Sequence, residues 1–139
     1  MTDQQLRDIF EKNSVIAAVG LSSNPAKASF GVTKFLKAQG YRIIPVNPNE
    51  TEVHGEKAYP DLKSVPDRID IVQVFRRPEA VPSVVEDAIA IGAKVVWMQD
   101  GAGNPEAAKK AEAAGLSTVV DDCMLREFGR LRPIPPNRP

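Results

Sequence analysis

Apolar residues fall along this chain in two alternating patterns: short, nearly continuous hydrophobic runs, and longer stretches in which apolar positions recur every three or four residues. The runs are VIAAVG (Val15 to Gly20), YRIIPV (Tyr41 to Val46), DIVQVF (Asp70 to Phe75), KVVWMQ (Lys94 to Gln99) and STVVD (Ser117 to Asp121). Continuous hydrophobicity is what parallel strands covered on both faces require, so these five runs are predicted strands. Between them, Ala28, Val32, Phe35 and Leu36 stand at i, i+4, i+7 and i+8, and Val81, Val84, Val85, Ala88 and Ile89 at i, i+3, i+4, i+7 and i+8. Each set makes one buried helical stripe. Asn104, Pro105 and Glu106 open another helix with a cap, a proline at the first helical position and an acid on the positive end of the dipole. A short amphipathic helix is predicted from about Gln4 to Lys12.

Helix and strand are joined the same way three times: KAQG-YRIIPV, AIAIG-AKVVW and AEAAG-LSTVV place Gly40, Gly92 and Gly115 at the junctions. Glycine closes a helix in the left-handed conformation without a Cβ penalty. Repeated helix-glycine-strand joints predict a doubly wound, five-stranded parallel sheet in a three-layer α/β/α domain spanning residues 1–139. The segment from Asn47 to Asp67 reads as a connection with a short helical turn, and the tail from about 133 to 139, PIPPNRP, as extended or frayed.

Composition narrows the function. At 42% hydrophobic and 26% charged residues the chain has a globular balance, which excludes disorder over most of its length. Eighteen basic residues offset eighteen acidic ones, so no chain-wide field recruits nucleic acid or an anionic membrane, and any anion site has to be built locally. The N-terminal MTDQQLRDIFEKN lacks a signal-peptide apolar region and no run reaches membrane-span length, which leads to a cytoplasmic expectation. One cysteine, Cys123, and one histidine, His54, supply neither a disulfide nor a zinc-site cluster. His54 lies in the polar stretch ETEVHGEK and reads as a solvated loop residue.

In an open parallel sheet, ligands bind outside the carboxyl ends of the strands, near the switch in strand order. The residues there are Gly20 to Ser23, Asn47 and Pro48, Phe75 to Arg77, Gln99 to Gly101, and Asp121 to Cys123. The first loop, GLSSNPAKASFG, follows a strand and enters a helix, so its amides and the helix dipole suit phosphate oxygens. It is not the G-x-G-x-x-G dinucleotide turn, because Ser22 and Pro25 stand where glycines belong. The second strand ends in Val46-Asn47-Pro48 without the acid that reads an NAD ribose. Phe75 offers a ring to an adenine or a pantetheine arm, and Arg76 or Arg77 a planar fork to a phosphate. Trp97 reads as core. Asp121 and Asp122, adjacent in a strand, point to opposite faces and do not form an acid/base pair, and no Ser/His/Asp or Cys/His arrangement is evident. Cys123 reads as a half-buried thiol at the mouth of the cleft.

Taken in order, VGLSSNPxKxSF, GYRIIPVNP, DIVQVFR, VWMQDG and VVDDC resemble the small single-domain CoA-binding proteins, relatives of the CoA-binding domain of the succinyl-CoA synthetase α subunit. The resemblance implies a Rossmann-like domain that binds coenzyme A, with the first loop on the phosphates and the adenosine over the ends of the first three strands. Carried over residue by residue, Gly20, Leu21, Ser22 and Ser23 hold the pyrophosphate with Lys27 and Ser29 nearby, Asn47 and Pro48 flank the nucleoside, and Val74, Phe75 and Arg76 line the other wall. Gln99 and Gly101 complete the cofactor set. Leu21 stands where a small residue is usual, which narrows the turn. No histidine matches the phosphorylated catalytic residue of the synthetase, so its ligase activity does not transfer. The expectation is a CoA or acyl-CoA binder without chemistry of its own, acting as carrier, sensor or subunit, with homodimerisation set by base rate. An NAD(P)-dependent oxidoreductase and a nucleotide-responsive regulator are the alternatives; no basic DNA-binding segment supports the latter.

Overall fold

The computed structural model describes residues 1–139. Five parallel strands form the sheet: β1 (Val15–Val19), β2 (Arg42–Val46), β5 (Ile71–Val74), β6 (Val95–Met98) and β7 (Ser117–Val120), in the order β2-β1-β5-β6-β7. Each is a residue or two shorter than its apolar run, and the residues trimmed at the carboxyl ends become loops. The chain runs from β1 outward to β2 and then returns to pair β5 on the other side of β1, so the order switches between β1 and β5. Register aligns the carboxyl ends, because Val19 pairs both Val46 and Val74, Val74 pairs Met98, and Met98 pairs Val120. The loops beginning at Asn47, Gly20, Phe75, Gln99 and Asp121 therefore emerge along one line.

Helices α1 (Asp3–Lys12), α2 (Ala28–Ala38) and α5 (Met124–Leu131) cover one face; α3 (Val81–Ala90) and α4 (Pro105–Ala113) cover the other. Alternating strand residues divide accordingly: Ile16, Ala18, Ile71 and Trp97 face the first set, and Ala17, Val19, Val72, Val74 and Met98 the second. The glycine joints hold as expected, with Gly40, Gly92 and Gly115 all at positive φ. Asn104 caps α4, its Oδ1 accepting from the Ala107 N–H at 3.1 Å. Pro45 is tolerated in β2 because β2 is an edge strand of this sheet, where a missing N–H breaks no ladder.

Some expectations need correction. A fifth helix, α5, follows β7, with Met124, Glu127, Phe128 and Leu131 as its buried stripe. The 47–67 connection holds a hairpin, β3 (Glu52–Val53) and β4 (Glu56–Lys57), as well as a single turn of 3-10 helix at Leu62–Ser64. On α2 the buried stripe is Ser29, Val32, Thr33 and Leu36, and Ala28 is exposed. The tail is extended but anchored, since Pro133 and Pro135 are buried and the Ile134 N–H donates to Glu11 Oε2 at 2.8 Å.

Candidate functional site

A cleft of about 430 Å³ opens at the carboxyl edge beside the switch point, lined by Gly20, Ser22, Lys27 to Ser29, Phe75 to Arg77 and Asp100 to Ala102. A smaller pocket of about 130 Å³ adjoins it through the shared Arg76, between the ends of β1 and β2 and the start of α3; its walls include Val46, Pro48, Leu62 and Val84. These are the loops that the strand ends select, brought together by the register.

The first loop leaves β1 through Gly20, whose φ is +90°. A Cβ there would lie 2.5 Å from the Phe75 carbonyl oxygen, so the close approach of the β1 and β5 ends depends on glycine. Leu21 is fully buried, backbone included, with its side chain in the core, so it does not narrow the turn. The loop's N–H groups divide into two sets. Ser22 N–H donates to Ser29 Oγ at 3.1 Å, Ser23 N–H to Glu50 Oε2 at 2.8 Å, Asn24 N–H to Ser22 Oγ at 3.0 Å and Ala26 N–H to Asn24 Oδ1 at 3.0 Å. Those of Ala28 and Ser29, in the cleft wall, meet no acceptor in the protein. The cause is local: the N-cap of α2 is Lys27, whose side chain has no acceptor, so the first turn is left uncapped.

Charge follows the same division. Lys27, Arg76 and Arg77 are exposed around the cleft and form no ion pair. On the opposite wall Arg126 of α5 grips Asp100 with two bonds, 2.9 and 3.0 Å, and Asp122 with one of 2.8 Å. Those hydrogen bonds, from Arg126, hold the Asp100 carboxyl below the usual carboxylate range against a smaller opposing effect of burial. Asp121, outside the strand at φ +53°, accepts from Gly101 N–H at 3.2 Å and Gly103 N–H at 2.7 Å. Both acids brace the loop after β6.

Other site candidates take different positions. Val74 is fully buried against α3, and Gln99, 4% exposed, turns inward, its Oε1 accepting from the Met124 N–H at 2.9 Å and from Gln73 Nε2 at 3.3 Å. Neither side chain reaches the cleft. Phe75 is half-buried, packed against the α2 side of the core at the cleft's base. Asn47 ties the second loop to the first, its Nδ2 donating to the Leu21 carbonyl at 3.1 Å, and Pro48 lines the smaller pocket. Ser23 lies outside the cleft wall and is clasped by Glu50. Trp97 is core, as expected, and its Nε1 donates to the Asp122 carbonyl at 2.7 Å. Cys123 is half-buried at the N-cap of α5.

His54 is not a solvated loop residue. It sits at the hairpin turn with its ring 4.5 Å from that of Phe30 and its Nε2 2.9 Å from Thr33 Oγ1. Thr33 Oγ1 in turn donates to the Ser29 carbonyl at 2.7 Å. The hairpin is thereby linked through the start of α2 to the Ser22 amide. Sequence reasoning missed Glu50 and Thr33; the lysine at the N-cap of α2 was readable as an uncapped helix start.

Residues 14–129 match the family described as a CoA binding domain. The chain belongs to the CoA-binding domain family. It is 40% identical over 120 residues to the uncharacterized protein YneT of Bacillus subtilis, covering 86% of this chain and 89% of that one. A hypothetical protein from Pyrococcus horikoshii superposes with a TM-score of 0.93 at 44% identity, covering 95% and 93% of the two chains. The alpha subunit of the ADP-forming acetate–CoA ligase II of Pyrococcus furiosus is 32% identical over 124 residues, 88% of this chain and only 27% of that subunit. The chain thus spans about a quarter of the ligase subunit's length.

No helix of this family member is long and apolar enough to cross a membrane.

Proposed function

We propose that the protein binds coenzyme A, free or acylated, in the cleft at the carboxyl edge and performs no chemistry on it alone, serving as a carrier, sensor or subunit. One observation carries the reading: in a CoA-binding domain, the cleft has two N–H groups without an acceptor, those of Ala28 and Ser29 at the uncapped start of α2, flanked by three cations without a carboxylate, Lys27, Arg76 and Arg77. Such a set is short of an anion, and a diphosphate supplies one. The pyrophosphate then lies on the Gly20–Ser22 backbone and the α2 N-terminus, within reach of Lys27 and Ser29. Adenosine enters the smaller pocket beside Asn47, Pro48 and Arg76, and the pantetheine arm runs past Phe75 toward Gly101. Val74 and Gln99 act only from within the core, holding the strand ends on which the loops stand.

The acids at the cleft support the non-catalytic part of this reading, because Asp100, Asp121 and Asp122 are each engaged in bracing the loops or pairing Arg126. None stands as a free base. The test is calorimetric titration of protein stripped of ligand with CoA, NAD and NADP. Saturable one-site binding of CoA with negligible NAD response supports the proposal; binding of NAD or NADP without CoA overturns it in favour of an oxidoreductase.

A further inference from the structure

The first loop already holds one anion of the protein's own. Glu50 lies four residues beyond the end of β2, and the intervening turn folds it back: Glu50 N–H donates to the Asn47 carbonyl at 3.2 Å, and Asn49 N–H to Asn47 Oδ1 at 3.0 Å. Its Oε2 accepts from the Ser23 N–H at 2.8 Å and from Ser23 Oγ at 3.0 Å. Glu50 pairs with no lysine or arginine, and its other oxygen, Oε1, accepts from nothing in the protein. An unneutralised carboxylate thus occupies one amide of the loop, while the Ala28 and Ser29 amides stay open.

We propose that Glu50, set with Ser23 just outside the cleft wall, is a specificity-determining residue: it holds the Ser23 end of the loop against phosphate and offers its free oxygen to a ribose hydroxyl at the cleft's rim. The inference rests on the CoA-binding reading of the same site and adds which nucleotides the site refuses. In sheets of this kind the ribose lies near the end of β2, where an acid accepts from the 2′-hydroxyl and repels a 2′-phosphate. The strand end itself carries no acid here, only Val46, Asn47 and Pro48; the turn brings one back four residues later. CoA has a free 2′-hydroxyl with its ribose phosphate at the 3′ position, whereas NADP carries the phosphate at the 2′ position. The site accordingly refuses a 2′-phosphate and turns the 3′-phosphate of CoA toward Arg76 and Arg77, a contact that NAD, which lacks that phosphate, does not make.

The test compares wild type with Glu50→Gln, which keeps an acceptor oxygen and removes the charge, and Glu50→Ala, which removes both. Glu50 is a half-exposed turn residue, so both variants should fold, checked by circular dichroism melting. Each is titrated with CoA, NADP and inorganic pyrophosphate at low and high salt. Removing a like charge beside the bound anion should raise NADP and pyrophosphate affinity about tenfold in Glu50→Gln, with the gain shrinking at high salt, while CoA affinity shifts less than about threefold because the gain at its diphosphate is offset by loss of the charged acceptor for its 2′-hydroxyl. Unchanged NADP and pyrophosphate affinities alongside normal CoA binding would overturn the role of Glu50 and leave the CoA reading standing. Wild type that ignores CoA, with pyrophosphate affinity still raised in Glu50→Gln, would do the reverse. Absence of pyrophosphate and CoA binding in all three proteins would overturn both.

Discussion

The two ends of the sheet handle charge in opposite ways. At the amino end, the Asp70 carboxylate, 2% exposed, accepts from the Ser14 and Val15 N–H groups at 3.0 and 3.1 Å, with Arg68 and Lys94 at 3.5 and 3.7 Å. There, donors and cations converge on an anion that the chain supplies. At the carboxyl end, amides and cations converge on a cleft whose one lining carboxylate, Asp100, is already held by Arg126, with Glu50 outside its wall. A fold gains stability by closing such sets on itself, and leaving one open is destabilising unless something else fills it. The difference marks the carboxyl end as the place where a ligand completes the structure.

The sharpest way to break this contrast is to close the open end by force. Gly20→Ala places a methyl against the Phe75 carbonyl and puts a side chain at φ +90°, for a loss of about 3 kcal/mol and of CoA binding. Gly101→Ala, at φ +84° with nothing within 4 Å of the new Cβ, isolates the backbone strain alone and should lose about 1 kcal/mol. Urea midpoints of the two variants compare them directly; equal losses would show that the β1–β5 approach is not tight.

At the other end, Asp70→Asn removes the charge that gathers the donors and should lower stability by about 2 kcal/mol at neutral pH, leaving the CoA affinity of the folded fraction unchanged. Burial alone would raise the Asp70 carboxyl, but the Ser14 and Val15 amides, with Arg68 and Lys94 beyond them, outweigh it and hold the group below its ordinary value. A depressed carboxylate contributes its full stability above the unfolded value, about 3.9, and loses it as pH falls from there through the folded value. Wild type should thus weaken steeply below about pH 4, and Asp70→Asn should show a flatter acid limb in chemical denaturation at stepped pH. Parallel limbs would mean that other carboxylates set acid stability.

Within the carboxyl end the two walls differ again, and two arginines separate them. Arg76, unpaired, should lose about tenfold in CoA affinity on replacement by alanine. Arg126 is occupied by Asp100 and Asp122, and Arg126→Ala should change affinity less than about twofold. Equal effects in calorimetry would remove Arg76 from the site.

How much of this was legible depended on whether a position's role was local. The strands, the glycine joints and the capped start at Asn104 were readable because each rests on a few adjacent residues obeying one geometric rule. Helix α5 hid because the buried stripe Met124, Glu127, Phe128 and Leu131 includes a glutamate, tolerable only because Arg130 reaches it at 2.5 Å. The hairpin hid because His54-Gly55 supplies the two positive-φ residues of its turn, at +55° and +78°, where Asn-Gly is the usual signal, and Val53 is the lone buried residue of its strands. At the site, the loop positions could be named, since strand ends define them. Which side chains turn inward could not: Leu21, Val74 and Gln99 are decided by core packing across several elements. Glu50 required a turn that no periodicity encodes.

The smallest expected effect tests whether the hairpin talks to the cleft at all. Burial holds the His54 imidazole below the ordinary histidine range, with Lys37 and Lys34 pushing the same way against the opposing Phe30 carbonyl. The folded protein therefore keeps His54 neutral where the unfolded chain, near pH 6.5, takes up a proton, so stability declines as pH falls below about 6.5 toward the folded value. His54→Asn preserves the turn, because asparagine tolerates positive φ, and should abolish that decline. If the path from His54 through Thr33 and Ser29 positions the Ser22 amide, the Ser22 N–H resonance should shift with the same midpoint as the His54 ring, and CoA affinity should fall less than about twofold across the transition. A Ser22 resonance indifferent to His54 titration would confine the hairpin to covering α2, and the open end of the sheet would then be shaped by its own loops alone.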